Sequence, residues 1–256
     1  MKARVAARID PGEKFPHLAR APIVEAVIEV RARAGVGWER SRAEGQLKRK
    51  LPEYPNVSSP AAAHPELAPV SVPHDEQVLE SRDLRFESAD KRQIAQFGRD
   101  GFSFSRLHPY LDWEQFHNEA LRLWKMHVEL ASPTDVHLLV VRFLNRIPLS
   151  APRPRVQDLE SPPKPPRGLD LPVAAFFHQE TLQVPGQLYA LHVRTLQPAS
   201  APDLEPGLIL DIEVFTSEPF ALQTDALEKR LPEMRWLKNK AFFGSLRPKA
   251  LQYFKR

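Results

Sequence analysis

At 256 residues with 42% hydrophobic content, the chain is long enough to bury a sizeable core, as one large α+β domain or two coupled halves, which excludes wholesale disorder. It contains no cysteine, so disulfides, thiolate zinc sites, iron–sulfur clusters and cysteine nucleophiles are all excluded. Its 36 basic and 32 acidic residues leave a net charge of +4, short of the excess that a strong nucleic-acid binder carries.

Residues 1–14 alternate charges with small side chains and lack an apolar core. Neither a signal peptide nor a membrane anchor is expected there, and the expected location is the cytoplasm. Val24, Ala26, Ile28 and Val30 then alternate with Glu25, Val27, Glu29 and Arg31, the period-two pattern of a half-buried strand. Trp38, Leu47 and Leu51 fall near helical spacing and predict a helix over residues 38–51, stopped by Pro52. Arg40, Arg42, Lys48, Arg49 and Lys50 lie on that helix. They read first as a solvated face and second as a set of phosphate contacts.

The 26 prolines cluster. Pro52, Pro55, Pro60, Pro65, Pro69 and Pro73 form one group, and residues 148–172 hold eight more. Proline donates nothing to a ladder and restricts the residue before it, so both stretches predict extended, surface-running connections. The expected organisation is an N-terminal α+β half over residues 1–150 with a proline-rich insertion near 52–80. A proline-rich connection over 151–172 follows, then a C-terminal meander-helix half over 173–256, packed with the first as one unit.

Leu84, Phe86 and Ser88 lead through Ala89-Asp90-Lys91 into residues 93–97, and Asp100-Gly101 turns the chain into Phe102-Ser103-Phe104. This predicts a three-stranded meander. Asp112 and Gln115 are spaced as a capping box, and Trp113, Phe116, Ala120, Leu123 and Trp124 form one apolar stripe of a helix reaching about Leu130. Residues 136–147 read as a mid-sheet strand, apolar on both faces, that nonetheless carries Arg142, Asn145 and Arg146. A second meander follows at residues 176–184, 188–196 and 208–215, then a helical stretch over about 221–243 in which Pro232 is expected to kink or split the helix. The fold class that emerges is α+β: an antiparallel sheet built from two meander-helix units with helices packed on it.

Four segments, taken in order, resemble an uncharacterised, sporadically distributed family of bacterial proteins of similar length. They are residues 21–30 (APIVEAVIEV), Phe104-Ser-Arg-Leu-His-Pro-Tyr110 running into Trp113-Glu-Gln-Phe116, the Arg142-to-Ile147 strand, and Leu208-Ile-Leu-Asp-Ile-Glu213. The resemblance covers most of the chain and implies a shared fold. It implies no reaction and no catalytic set, and its tie to mobile or defence-type genes points to an interaction role.

Strand alternation places Arg142 and Arg146 on one face and Asn145 on the other, and puts Asp211 and Glu213 on a common face. If the two strands are neighbours, Arg142 can hold Asp211 or Glu213 as a structural salt bridge. A functional alternative is an anion-binding face of Arg142, Arg146 and Arg106. Another is a hydrolase or nuclease-like site in which Asp211 and Glu213 hold a divalent cation, although no third ligand and no following lysine accompany them. The nine histidines show no metal-ligand spacing, and no phosphate-cradling or dinucleotide glycine motif occurs, so neither a metal nor another cofactor is expected. His108 sits at a strand-to-helix junction, where backbone hydrogen bonding is its ordinary role. Ser103 and Ser105 lack a nucleophile elbow and read as the solvent face of a strand.

Trp236, Phe242, Phe243, Tyr253 and Phe254 extend toward the C-terminus and form a candidate partner surface. The expectation is therefore a non-enzymatic interaction protein whose partner is another protein. The enzyme reading and nucleic-acid binding through the basic helix stand as alternatives, and no membrane association is expected.

Overall fold

The structure, a computed structural model, describes residues 7–35, 38–58, 84–149, 154–169, 171–198, 207–223 and 225–255. Most of the proline-rich insertion expected near 52–80, and Pro152 of the later connection, lie outside the described residues.

Strand β1 (Ile23–Arg31) leads to helix α1 (Arg40–Lys50) and the short β2 (Asn56–Ser58). Then come β3 (Leu84–Glu87), β4 (Gln93–Gly98) and β5 (Gly101–Leu107), followed by helix α2 (Trp113–Ala131), β6 (Asp135–Val136) and the long β7 (Leu138–Pro148). The rest of the chain supplies β8 (Phe176–Gln183), β9 (Tyr189–Gln197), β10 (Gly207–Thr216), β11 (Phe220–Ala221) and helices α3 (Ala226–Ser245) and α4 (Pro248–Phe254). Nine strands make one antiparallel sheet in the order β2-β3-β4-β5-β1-β7-β10-β9-β8, while β6 and β11 pair separately. Among the described residues, no helix is long and apolar enough to cross a membrane.

Period-two alternation sorts this sheet into two faces. Ile28 and Val30 of β1, Phe102 and Phe104 of β5, and Val141 and Phe143 of β7 all turn toward the helices. There they pack against Leu47 of α1, Phe116 and Leu123 of α2, and Leu231 and Met234 of α3. Each fully buried side chain of this size contributes about 1.5–3 kcal/mol. A second cluster joins Leu208, Leu210 and Ile212 of β10 to Phe242, Leu246 and Phe254. The opposite face buries Ile94, Val140, Leu144 and Ile209, which belong to neither cluster, together with Asp211, Glu213 and Arg194.

Local details follow from residue chemistry. A register shift between Ile23 and Glu25 breaks the alternation of β1 at its start, so Ile23 takes the core position and Val24 does not. Gly101 has φ of 151°, and a Cβ there would stand 2.2 Å from the Val30 carbonyl oxygen, so only glycine fits the β4–β5 turn. The Asp112 carboxylate accepts a 2.8 Å hydrogen bond from the Gln115 amide and caps α2, whose predicted apolar stripe is buried as a whole.

Helix α3 runs as one element through Pro232, where a kink or split is expected from the sequence, and the chain breaks only at Leu246, before α4. Proline removes one backbone bond, but the fully buried Leu231 and Met234 on either side hold the turn against the sheet. Part of the second proline-rich connection is pinned too, because Leu159 bridges to Leu246 and is buried in the second cluster.

Candidate functional site

β7 and β10 are neighbours, which brings the charged positions of two distant segments together on the face turned from the helices. The Arg142 guanidinium donates to both oxygens of Asp211, Nε to Oδ1 and Nη2 to Oδ2, at 2.8 Å each. Asp211 is completely buried. Arg194 of β9 completes the group: its Nη1 donates to Asp211 Oδ2 at 3.2 Å and to Glu213 Oε2 at 3.0 Å, and its Nε donates to Gln179 at 3.1 Å. Two carboxylates thus face two guanidiniums, so the buried charge cancels.

His192 lies beside them, with Nδ1 2.7 Å from Arg194 Nη2 and 3.5 Å from Glu213 Oε1. Burial first, and the Arg194 charge second, hold its pKa below the ordinary imidazole value, against the pull of Glu213. A neutral ring whose Nδ1 accepts from Arg194 satisfies both the distances and that shift, so the contact with Glu213 is not an ion pair. Burial works against the Arg142 charge, yet Asp211, Glu213 and Glu25 more than offset it and raise its pKa.

The other sequence candidates are dispersed. Arg146 extends across Gly207, where an added Cβ would lie 3.1 Å from its Nε. Asn145 points to the helix side, fully buried, and donates to the carbonyls of Phe143 and Leu210. Arg106 donates to the Pro109 carbonyl at 3.3 Å and does not join Arg142. His108 Nδ1 lies 3.4 Å from the Ile23 carbonyl. Ser103, expected on a solvent face, is instead buried and donates to Gln96 at 3.0 Å, because the helix-free face of the sheet excludes water there. Arg40, Arg42, Lys48, Arg49 and Lys50 are all exposed on α1, with Lys48 bonded to Glu44 and Lys50 to Glu129. Among the described residues, no group of three or more His, Asp or Glu has an arrangement that could hold a metal ion.

The C-terminal aromatics do not form a free patch. Phe242 and Phe254 are buried, Phe243 stacks on Phe15 with ring centroids 5.5 Å apart, and Arg20 lies 4.7 Å over the Tyr253 ring. Trp236 donates its indole N–H to Glu13 at 2.7 Å, and Lys240 bonds the same carboxylate at 2.6 Å. Residues 11–23 are thereby strapped across α3 and α4.

Between the strap, the junction ahead of α2 and the α3 face lies a cavity of about 900 Å³. Lys238 opens onto it with its ammonium 4.0 Å from the Phe143 ring centroid. Burial, and then the nearby Arg235 charge, push that ammonium down to about 7. Tyr110 lines the same cavity, and burial raises the pKa of its hydroxyl.

Sequence reasoning missed Arg194, His192 and Gln179, although Arg194 carries the same signal as Arg142, a guanidinium inside an apolar strand. It also missed Lys238, since one lysine in a helix reads as ordinary surface. No protein-family model matches the chain, and no curated protein matches it.

Proposed function

We propose that the chain is a non-enzymatic, cytoplasmic interaction protein that binds another protein by adding one of the partner's strands to β8. The observation that carries this reading is the state of that edge. β8 is terminal in the sheet, and every residue of it except Phe176 is exposed. An edge strand presents a row of backbone N–H and C=O groups that template a further strand, so proteins usually protect such edges with brevity, lysine or proline. The opposite edge, β2, is three residues long. β8 has eight residues with neither lysine nor proline, and its two titratable side chains, His178 and Glu180, are 3.2 Å from one another. Phe177 and Leu182 stand 55% and 45% exposed along it. That surface suits an uncharged, extended segment, whose main chain supplies affinity while its side chains rest on Phe177 on one face of the sheet and Leu182 on the other.

The resemblance to proteins tied to mobile or defence-type genes agrees with an interaction role. Catalysis by Arg142, Asp211 and Glu213 is disfavoured because these groups are already satisfied by one another. We also read β3–β5 with α2, and β8–β10 with α3, as two repeated meander-helix units, β8 being the outer strand of the second.

The test is affinity purification from the native host after nuclease treatment, with hydrogen exchange on the recovered complex. One stoichiometric protein that slows exchange at β8, and is lost with Phe177→Lys plus Leu182→Lys, is the expected result. A partner that leaves β8 exchange unchanged overturns strand addition.

The exposed Lys48-Arg49-Lys50 end of α1 favours nucleic acid as a second reading. Binding of that kind weakens steeply with added salt as counterions are released.

A further inference from the structure

The 900 Å³ cavity beneath residues 11–23 has a polar inventory that defines an occupant. Glu13 is bonded to Trp236 and Lys240, and Arg20 is bonded to the Tyr253 carbonyl, so these lining charges are already engaged. Lys238 is different. Its ammonium lies over the face of Phe143, and no hydrogen bond or ion pair reaches it among the described residues. A cation over an aromatic ring gains about 0.5–2 kcal/mol, and the half-buried side chain leaves the ammonium otherwise unpartnered toward the cavity. The Tyr110 hydroxyl, also without a hydrogen-bond partner among the described residues, lines the same space. The walls around them are flat and apolar: Trp113, Trp236, Phe242 and Phe243.

The geometry points to a binding site for a small monoanion, a carboxylate carried on a flat apolar body, with its acid group on Lys238 and Tyr110 and its body against Trp113 and Trp236. Three features select this class. The volume falls in the range of small-molecule sites, which are mostly apolar with a few convergent polar groups. Lys238 is half-buried toward the cavity with no counter-ion among the described residues, which calls for one negative charge on the ligand. Lys238 and Tyr110 supply two donors, the number that the two oxygens of a carboxylate take. The depressed ammonium of Lys238 agrees with this, since a bound carboxylate restores the charged form that burial alone penalises.

Naphthoate is the probe, titrated calorimetrically into the full-length protein beside naphthalenemethanol, its neutral counterpart, and inorganic phosphate. The expected result is one naphthoate per chain, with affinity at least about tenfold above naphthalenemethanol and reduced at least about tenfold by Lys238→Met. Lys238→Arg is expected to retain binding to within a few-fold, which separates loss of charge from loss of fold, and thermal melts confirm that both variants are folded. Equal affinity for naphthoate and naphthalenemethanol overturns the proposal, as does wild-type affinity in Lys238→Met or no heat at millimolar naphthoate. Phosphate binding that exceeds naphthoate and depends on Lys238 overturns the carboxylate assignment in favour of a phosphorylated ligand. None of these outcomes bears on β8, so the strand-addition reading stands or falls separately.

Discussion

Arg142 on β7 holds Asp211 on β10 through two parallel 2.8 Å bonds, although the residue directly opposite it across the ladder is Glu213. The diagonal choice follows from Arg194, which reaches from β9 to both carboxylates and occupies Glu213. Four charges from three strands close into one neutral group, and the cross-strand pairs tie β7, β10 and β9 together in register.

Removing one member is therefore costly in a way that removing a balanced pair is not. Asp211→Asn leaves two guanidiniums facing one carboxylate and is expected to destabilise the fold by about 3–5 kcal/mol. Arg142→Met combined with Asp211→Leu leaves Arg194 with Glu213 in balance and is expected to lose less than the single substitution. Urea unfolding of the wild type and these variants decides the matter, and equal losses in both would mean that charge balance is not what the group contributes.

Lys238 makes stability depend on pH in the alkaline range. Its folded value lies at about 7, while an unfolded lysine titrates near 10.4. Between those values the unfolded chain binds a proton that the folded chain does not, so stability rises with pH across the window, by up to about 1.4 kcal/mol per unit from this group. Below pH 7 both states are charged and the full penalty remains. Lys238→Met is expected to be more stable than wild type at neutral pH and to flatten this rise, which denaturant midpoints at pH 7, 8.5 and 10 would reveal. A midpoint that rises as steeply in the variant as in the wild type would assign the effect to other groups.

Tyr54 follows α1 and donates its one hydroxyl proton to Glu119 at 2.7 Å, with the Gln93 side-chain amide 3.0 Å from the same oxygen, joining that loop to α2 and β4. Burial raises its hydroxyl pKa, with the Glu119 charge adding to the effect. Burial resists the Glu119 charge, but Arg122 and Tyr54 outweigh it and lower its pKa. A carboxylate with a depressed folded value contributes stability above the ordinary carboxylate range and loses it as pH falls through the folded value. Tyr54→Phe removes one donor to this charge and is expected to cost about 1–3 kcal/mol at pH 7 and less in acid. Thermal melts at pH 7 and pH 3 test it, and a loss that is undiminished at pH 3 would locate the effect in packing instead.

Most strands were legible because alternation and turn residues agree. Residues 84–104 show both, and the Asp100-Gly101 turn lies where the sequence puts it. The pairing of Arg142 was legible only as a condition, since nothing local says that β10 lies beside β7 while β1 fills β7's other side. Ser103 was misjudged because period-two alternation reports which face a residue takes and does not report whether water reaches it. The continuity of α3 through Pro232 was not legible, because a helix-breaking propensity carries nothing of the packing of Leu231 and Met234. The cavity left no trace in the sequence: its walls come from residues 11–23, the junction ahead of α2 and two C-terminal helices, which only the fold brings together.

The strap over that cavity is the least firmly held part of the wall, and its removal gives a last prediction. Residues 11–23 are fixed by the Phe15–Phe243 stack, the Glu13 bonds to Trp236 and Lys240, and the Arg20 bonds to Phe254 and Tyr253. The stack contributes about 0.5–1.5 kcal/mol. Phe15→Ala therefore favours local opening by about 1 kcal/mol, roughly a fivefold change in the open population. Tryptic cleavage after Lys14 is expected to accelerate by about that factor, while the global urea midpoint shifts little, since sub-global opening is governed by local contacts. Cleavage that accelerates only in step with the global midpoint would mean that the strap and the sheet unfold together, and the cavity could then open only by unfolding the protein.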